Sequence, residues 1–407
     1  MASISGAVVL STNKLKICKI AANGTQATIL KVVRDNSPIS RSGIVSHSGL
    51  PHAAVSRSVG MLLERGIVTE STLADTNGPR RKRGIMLNPE YGYCLAAEYG
   101  PSRIEGVIFN TAYGQVLNSV KEVPLGPMRQ AEKIHHIKSF IEELRKQAPA
   151  DGQCLGLGII DPGIVSEQRG MALVSSTMAD WHNVPIVQIL EDHFSLPVML
   201  LNTSMSKIRA VDRFEVKGAS DNLIYVEYGE GIGCGLKLEG NYITGQSCLA
   251  GELGHLRVTD KAVPCQCGGL GCLESVSALP ALAREAQEAL RQSSRGLLTK
   301  LDQIDGSAVL NAASDGDRLA SHIVDEAFDY LARAVAGLVN IVNPEIVVFD
   351  NMIGKAGDEA VNALMRSLSK NILTSHWESL EARISTIKSH IGALGGAAAV
   401  LDHCLDR

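Results

Sequence analysis

From Asn23 onward apolar residues recur at helical spacing: Ile29, Leu30, Val32 and Val33 stand among polar neighbours until Asp35-Asn36-Ser37-Pro38. Proline lacks an amide proton and disfavours helical conformation in the residue before it, so the run predicts a helix that stops there. Ser40 is placed to cap a second helix carrying Ile44 and Val45, and Gly49 to turn the chain. A third helix follows with Val55, Val59, Leu62 and Leu63 on one face and an end at Gly66. His52, Ala53, Ser56 and Arg57 fall off that stripe near the helix's N-terminal end, where a recognition helix meets base edges. Ile67-Val68-Thr69 and Ile85-Met86-Leu87 read as two short strands around Gly78-Pro79-Arg80-Arg81-Lys82-Arg83-Gly84. Helix, glycine turn, helix and basic wing predict a winged helix-turn-helix over residues 23–88. Taken singly, each piece has an ordinary alternative: a helix pair of an all-helical protein, or a solvated charged loop. Residues 1–22 carry no readable pattern.

Asn88 to Gly92 reads as a linker, after which apolar runs alternate between strand and helix periods. Strands are predicted over 93–99, 104–110, 115–123, 154–160 and 197–201, with helices over 131–146 and 186–194. A second α/β lobe opens near Asn222 with a strand over 223–228, and Gly229 to Gly235 is expected to be a glycine-rich turn. Helices over 278–292, 307–314 and 317–342, a strand over 345–350 and a helix over 357–370 complete it. This is an α/β pattern in two lobes, 93–205 and 206–391, with a small-residue helix over 392–407 packing back on the first. No repeat of fixed short period is visible.

Charge sharpens this division. Residues 1–90 hold 12 Lys and Arg against 5 Asp and Glu, whereas the remainder holds 27 against 38. A basic head on an acidic body suggests that the head meets a polyanion, and the cations Arg80, Arg81, Lys82 and Arg83 are suited to phosphates or a minor groove. Composition is that of a globular chain with ample core, 45% hydrophobic and 20% charged. No apolar run approaches the roughly 18 residues of a membrane span, so a cytoplasmic protein is expected, with no membrane partner.

The chemistry concentrates between Gly251 and Ser275. His255, Cys265, Cys267 and Cys272 form an H-x9-C-x-C-x4-C pattern interleaved with Gly268, Gly269 and Gly271. Three thiolates and one imidazole match the closed four-ligand set of structural zinc, and glycines let a loop wrap an ion tightly. The alternative, buried free cysteines beside an unrelated histidine, is countered by the clustering, since Cys18, Cys94, Cys154, Cys234, Cys248 and Cys404 are scattered. Glu252 and Glu274 flank the ligands. Held by a stiffened loop, they are placed to accept hydrogen bonds from a polyol, or else they only cap and solvate the loop.

Gly-Glu-x-Gly-His followed by Cys-x-Cys-Gly-x-x-Gly-Cys-Leu-Glu resembles the signature of the ROK family of repressors, open reading frames and sugar kinases. The resemblance implies an actin-like (ribonuclease-H-like) ATPase fold with a zinc-stiffened sugar site. The sugar contacts it implies are Asn202, Glu252, His255 and Glu274. The basic head is similar to the winged helix of ROK repressors, which the sugar kinases lack.

Against the kinase pattern four positions depart. The first phosphate loop, Asp-x-Gly-x-Thr in the family, reads Glu98-Tyr99-Gly100-Pro101-Ser102. The Asn-Asp pair that carries the catalytic base reads Asn202-Thr203, and threonine cannot take a proton near neutral pH. The second phosphate turn reads Gly229-Glu230-Gly231-Ile232-Gly233, setting a carboxylate against phosphate. A later Gly-Gly is Asp350-Asn351. The expected protein is therefore a sugar-responsive DNA-binding repressor with no catalytic residue. Its partners would be operator DNA, a sugar or phosphosugar inducer, and further copies of itself in a homodimer or homotetramer. The alternative is an ATP-dependent ROK kinase carrying a DNA-binding head.

Overall fold

A computed structural model describes residues 20–72, 83–150, 152–175, 177–292, 297–300 and 303–405. It begins with three helices, α1 (Gly24–Asn36), α2 (Arg41–Ser48) and α3 (His52–Glu64). Asn23 and Ser40 supply side-chain caps to Gln26 N and Gly43 N, and Gly49 leaves α2 in the left-handed region at φ 67°. Ile29, Leu30, Val33, Ile44, Val55, Val59 and Leu62 are fully buried and form the shared face of the three helices. Strands β1 (Val68–Thr72) and β2 (Arg83–Leu87) then pair antiparallel, Val68 opposite Leu87. Arg80, Arg81 and Lys82 lie outside the described residues.

The chain divides into two compact units, 1–201 with 399–407, and 202–398. The first contains β3 (Gly92–Tyr99), β4 (Arg103–Asn110), β5 (Gln115–Glu122), α4 (Gln130–Arg145) and β6 (Gln153–Asp161). Three short strands follow, β7 (Ile164–Ser166), β8 (Met171–Val174) and β9 (His182–Val184), then α5 (Ile186–Phe194) and β10 (Val198–Asn202). The main sheet runs β10-β6-β3-β4-β5, with β3 antiparallel to β4 and parallel to β6. Its core joins Leu95, Ile108, Phe140, Leu157 and Trp181. Below that core lies one buried carboxylate: Asp161 accepts from Tyr99 OH at 2.5 Å, Trp181 Nε1 at 2.8 Å and Gly163 N at 2.7 Å. Burial holds its carboxyl above the usual range although all three donors oppose the shift.

The second unit holds α6 (Thr203–Ala210), a π-helical turn over Val211–Val216, β11 (Leu223–Tyr228), β12 (Ile232–Leu238) and β13 (Asn241–Tyr242). After the 251–275 loop come α7 (Leu273–Ser277), α8 (Leu279–Gln292), α9 (Gly306–Ser314), α10 (Arg318–Val342), β14 (Ile346–Phe349), α11 (Gly357–Asn371), α12 (Thr374–Ser379) and β15 (Glu381–Ile384). Its sheet runs β13-β12-β11-β14-β15. In each unit, counted along the chain, the strand order is third, second, first, fourth, fifth, so one topology occurs twice without a visible sequence repeat. Helix α13 (Ile391–Leu405) ends the chain.

Two predicted boundaries need correction. Gly229 to Gly235 is not a turn throughout: Gly233 and Gly235 lie within β12, because α6 packs where their side chains would be. A Cβ at Gly235 would stand 2.5 Å from Ile208 Cβ. The helix expected over 278–292 is preceded by α7, with the break at Ala278. The same close-packing logic governs α13. A Cβ at Gly395 would lie 1.7 Å from the Ser206 carbonyl oxygen of α6, and Ser206 Oγ donates to Gly392 O at 2.6 Å. Gly395→Ala must push the two helices apart. It is expected to cost about 1–3 kcal/mol in urea unfolding, and an unchanged midpoint would show the contact to be loose.

At its far end α13 anchors the head. Asp402 Oδ1 accepts from Arg34 Nη1 at 2.9 Å and from Tyr113 OH at 2.5 Å, and Cys404 O accepts from Ile20 N at 3.0 Å. Only 5% of the Arg34 side chain is exposed, so this pair is far less screened by solvent than an ordinary surface ion pair.

Candidate functional site

The metal-ligand candidates converge. One ligand atom each from His255, Cys265, Cys267 and Cys272 lies within 4.8 Å of the others. Cys267 Sγ and Cys272 Sγ are 3.8 Å apart, and Cys265 Sγ is 3.7 Å from His255 Nδ1. A tetrahedral zinc ion with ordinary bond lengths would separate two sulfurs by about 3.8 Å and a sulfur from an imidazole nitrogen by about 3.6 Å. The donors therefore fit that ion. The backbone enforces the arrangement: Cys265 N donates to Gly269 O at 2.9 Å and Gly268 N to Cys265 O at 3.0 Å. Gly268 has φ 87°, and a Cβ at Gly269 would press to 3.3 Å from Cys272 Sγ and 3.4 Å from Cys267 Sγ. Without a cation burial pushes the Cys272 thiol up to about 12, aided by the neighbouring thiols. The Gly269 amide and the Cys265 thiol hold the exposed Cys267 thiol below its usual value.

His255 turns its other ring nitrogen the opposite way, Nε2 standing 3.6 Å from Glu252 Oε2. Glu252 is raised by burial, then by the charges of Glu274 and Glu227, with His255 opposing. Glu274 Oε2 accepts from Ile232 N at 3.1 Å, and a Cβ at Gly254 would come within 3.3 Å of Glu274 Cβ. That Cβ would also stand 2.3 Å from Ile232 O, so the loop bearing Glu252 lies against β12 only because residue 254 has no side chain. Asn202 caps α6, its Oδ1 accepting from Met205 N at 2.8 Å. Glu252, His255 and Glu274 are brought together around the metal-ligand loop, and all four predicted sugar contacts belong to one unit.

On the first three helices, His52, Ala53, Ser56 and Arg57 are exposed, while Val55, Ser58, Val59 and Leu62 on the other face of α3 are buried. Arg83, predicted as a phosphate contact, is 77% exposed in its side chain and pairs with Glu70 at 2.5 Å across the β1–β2 ladder. Such an exposed pair contributes about 0–1 kcal/mol and is screened by salt, so a phosphate could replace the carboxylate.

Several positions that depart from the kinase pattern make hydrogen bonds within the chain. Gly100 N donates to Arg103 O at 2.9 Å, and Gly229 N to Gly231 O at 3.0 Å. Burial and then Asp305 raise the Glu230 carboxyl. Asp350 caps Met352 N at 2.9 Å, and Asn351 Nδ2 donates to Ile387 O at 2.7 Å. Sequence reading missed Glu227 and Lys207 entirely. Glu227 lies in a strand and Lys207 in a helix, and nothing in their spacing marks them.

The family model described as "ROK family" matches residues 94–403. A curated xylose repressor of Caldicellulosiruptor bescii is 27% identical over 381 residues, 93% of this chain and 95% of the relative. A glucokinase of Thermotoga maritima is 32% identical over 248 residues, 60% of this chain and 78% of that enzyme. Among solved structures, a ROK family transcriptional regulator described as a homolog of the E. coli MLC protein superposes with a TM-score of 0.80 at 21% identity, covering 94% of this chain and 97% of its own. No described helix is long and apolar enough to cross a membrane.

Proposed function

Because this chain belongs to the ROK family, we propose that it is a sugar-responsive DNA-binding transcriptional repressor and not a working kinase. The observation that carries the proposal is the exposed N-terminal face of α3, His52, Ala53, Ser56 and Arg57, held out by a completely buried opposite face. In the winged helix-turn-helix that the three helices and the β1–β2 ladder form, this face enters the major groove. Two copies related by a two-fold axis would read a palindromic operator. A xylose repressor aligning with 93% of this chain, head included, supports the same reading.

The sugar site is assigned to Asn202, Glu252, His255 and Glu274, with a structural zinc ion held by His255, Cys265, Cys267 and Cys272. Zinc would fix the loop and the imidazole orientation, leaving His255 Nε2 for a ligand hydroxyl. Phosphotransfer lacks its agents. Thr203 offers no carboxylate to take a proton, and Glu230 would set negative charge against a phosphate.

The test is retention of genomic DNA fragments by the purified protein, repeated with salt and with a sugar panel. Selective binding should weaken steeply with salt. Arg57→Ala should weaken binding to the retained fragment by about 10–100-fold, corresponding to roughly 1–3 kcal/mol for a base contact. Unchanged affinity would remove α3 from the DNA interface. A second reading, a kinase with a DNA-binding head, is favoured by the 32% identity to the glucokinase. Sugar-dependent ATP consumption lost in Glu252→Ala would establish it.

A further inference from the structure

Thr203 begins α6 without a carboxylate, yet the fold brings one from another element to Ser204, the next residue of the same turn. Glu227 stands opposite Gly233 in the β11–β12 ladder. Opposed residues of a ladder share one face of the sheet, and α6 packs on this one. A Cβ at Gly233 would lie 2.5 Å from Ser204 Oγ and 3.5 Å from Glu227 Oε2. The absent side chain is what gives the Glu227 carboxylate its room beside the first turn of α6.

Its two oxygens are both directed. Ser204 Oγ donates to Glu227 Oε2, and Lys207 Nζ donates to Oε1 at 3.0 Å. Lys207 Nζ also lies 3.5 Å from Asp350 Oδ2, which accepts from Tyr225 OH at 2.6 Å. The side chains of Lys207, Glu227 and Asp350 are only 15%, 19% and 9% exposed. Gly233, opposite Glu227, lies between two residues that bond the sugar-contact elements, Cys234 N donating to Gly251 O at 2.8 Å and Ile232 N to Glu274 Oε2 at 3.1 Å. A lysine drawn from water between two carboxylates carries a desolvation cost that attraction alone often fails to offset. Aiming the Glu227 carboxylate is a function that accounts for the arrangement.

We infer that Glu227 is a further sugar-contacting carboxylate, oriented by Lys207 and Ser204, which accepts from the ligand hydroxyl that Thr203 cannot serve. The inference rests on the reading of Asn202, Glu252, His255 and Glu274 as a sugar site. It also specifies the ligand class: a polyol carrying a neutral hydroxyl at that position. A phosphate there would meet the Glu227 and Glu252 carboxylates, while the one cation of the network, Lys207, is already shared between Glu227 and Asp350. Ser204 and Lys207 each take one lone pair of a carboxylate oxygen, which leaves each oxygen a second one for the ligand hydroxyl.

The experiment is calorimetric titration of the full-length protein with D-xylose, D-glucose and N-acetyl-D-glucosamine, their monodeoxy analogues and the 6-phosphates of the two hexoses. Glu227→Gln should weaken the sugar that binds by about 10–100-fold, the range for a hydrogen bond to a charged group. One monodeoxy analogue should bind wild type and variant alike, and the 6-phosphates should bind neither. The double variant Thr203→Asp/Glu227→Gln should regain affinity, which simple damage to the fold would not allow. Equal binding of parent sugar and every analogue to wild type and Glu227→Gln would overturn the inference while leaving the sugar site standing. Tight binding of a 6-phosphate would overturn it too. Absence of binding by all of these sugars to wild type would instead remove the sugar site itself, and this inference with it.

Discussion

Asp161→Ala will lower stability by about 3–5 kcal/mol, the range for leaving a buried polar cluster without its central partner. The carboxylate is fully buried and collects three donors, from Tyr99, Trp181 and the Gly163 amide. Alanine offers none of them an acceptor. Tyr99 and Trp181 are themselves packed edge to face, with ring centroids 5.6 Å apart, so neither can swing away to find a new partner. Asp161→Asn keeps one carbonyl oxygen and should cost much less. Urea unfolding of the three proteins side by side decides the matter. A loss below about 1 kcal/mol for the alanine variant would mean the donors are satisfied elsewhere.

Cys272→Ser will strip the protein of one tightly bound metal ion and soften the loop that carries Glu252 and His255. Cys272 is the buried member of the four, and its backbone closes the loop, bridging to Arg257. Wild type should carry about one zinc per chain by elemental analysis and the variant markedly less, since structural zinc demands all four ligands. Because Glu274 follows two residues later and Glu252 leans on His255, sugar-induced changes in DNA binding should fall with the metal. The melting temperature should drop by roughly 5–10 °C, as expected when a unit of this size loses about 2–4 kcal/mol. Metal-free wild-type protein with an unaltered melting temperature in chelator would refute the zinc assignment.

Both predictions concern residues that the linear sequence treats very differently. The cluster of His255, Cys265, Cys267 and Cys272 was legible because side chains brought together by one loop lie close in sequence, with glycines at the bends. The head was legible for a related reason. Helices α1 to α3 are local structures with their own caps, at Asn23, Ser40 and Gly49, and their burial follows the helical period.

Asp161 stands in an Asp-Pro-Gly sequence that carries no periodic signal. Its partners come from 62 residues earlier and 20 later, and no periodicity announces such a meeting. Gly233 and Gly235 misled in the opposite direction. Glycine is the residue of turns, but here it is the residue over which α6 can lie flat on β12. The strands β7, β8 and β9 have three or four residues each, too few for an alternating pattern to stand out from a loop.

The sequence by itself determined the local chemistry: a basic head with a polar helix face, a loop clustering one histidine and three cysteines, and an α/β body with threonine at position 203. These depend on residues near one another along the chain, where spacing and residue type suffice. Tertiary structure alone decided that one five-stranded topology occurs twice, that Asp402 ties the last helix to the first, and that Glu227 reaches Ser204 and Lys207 in α6. Each of these is a meeting of distant segments. It is set by which faces bury each other and where a missing Cβ leaves room, and a single sequence does not record either.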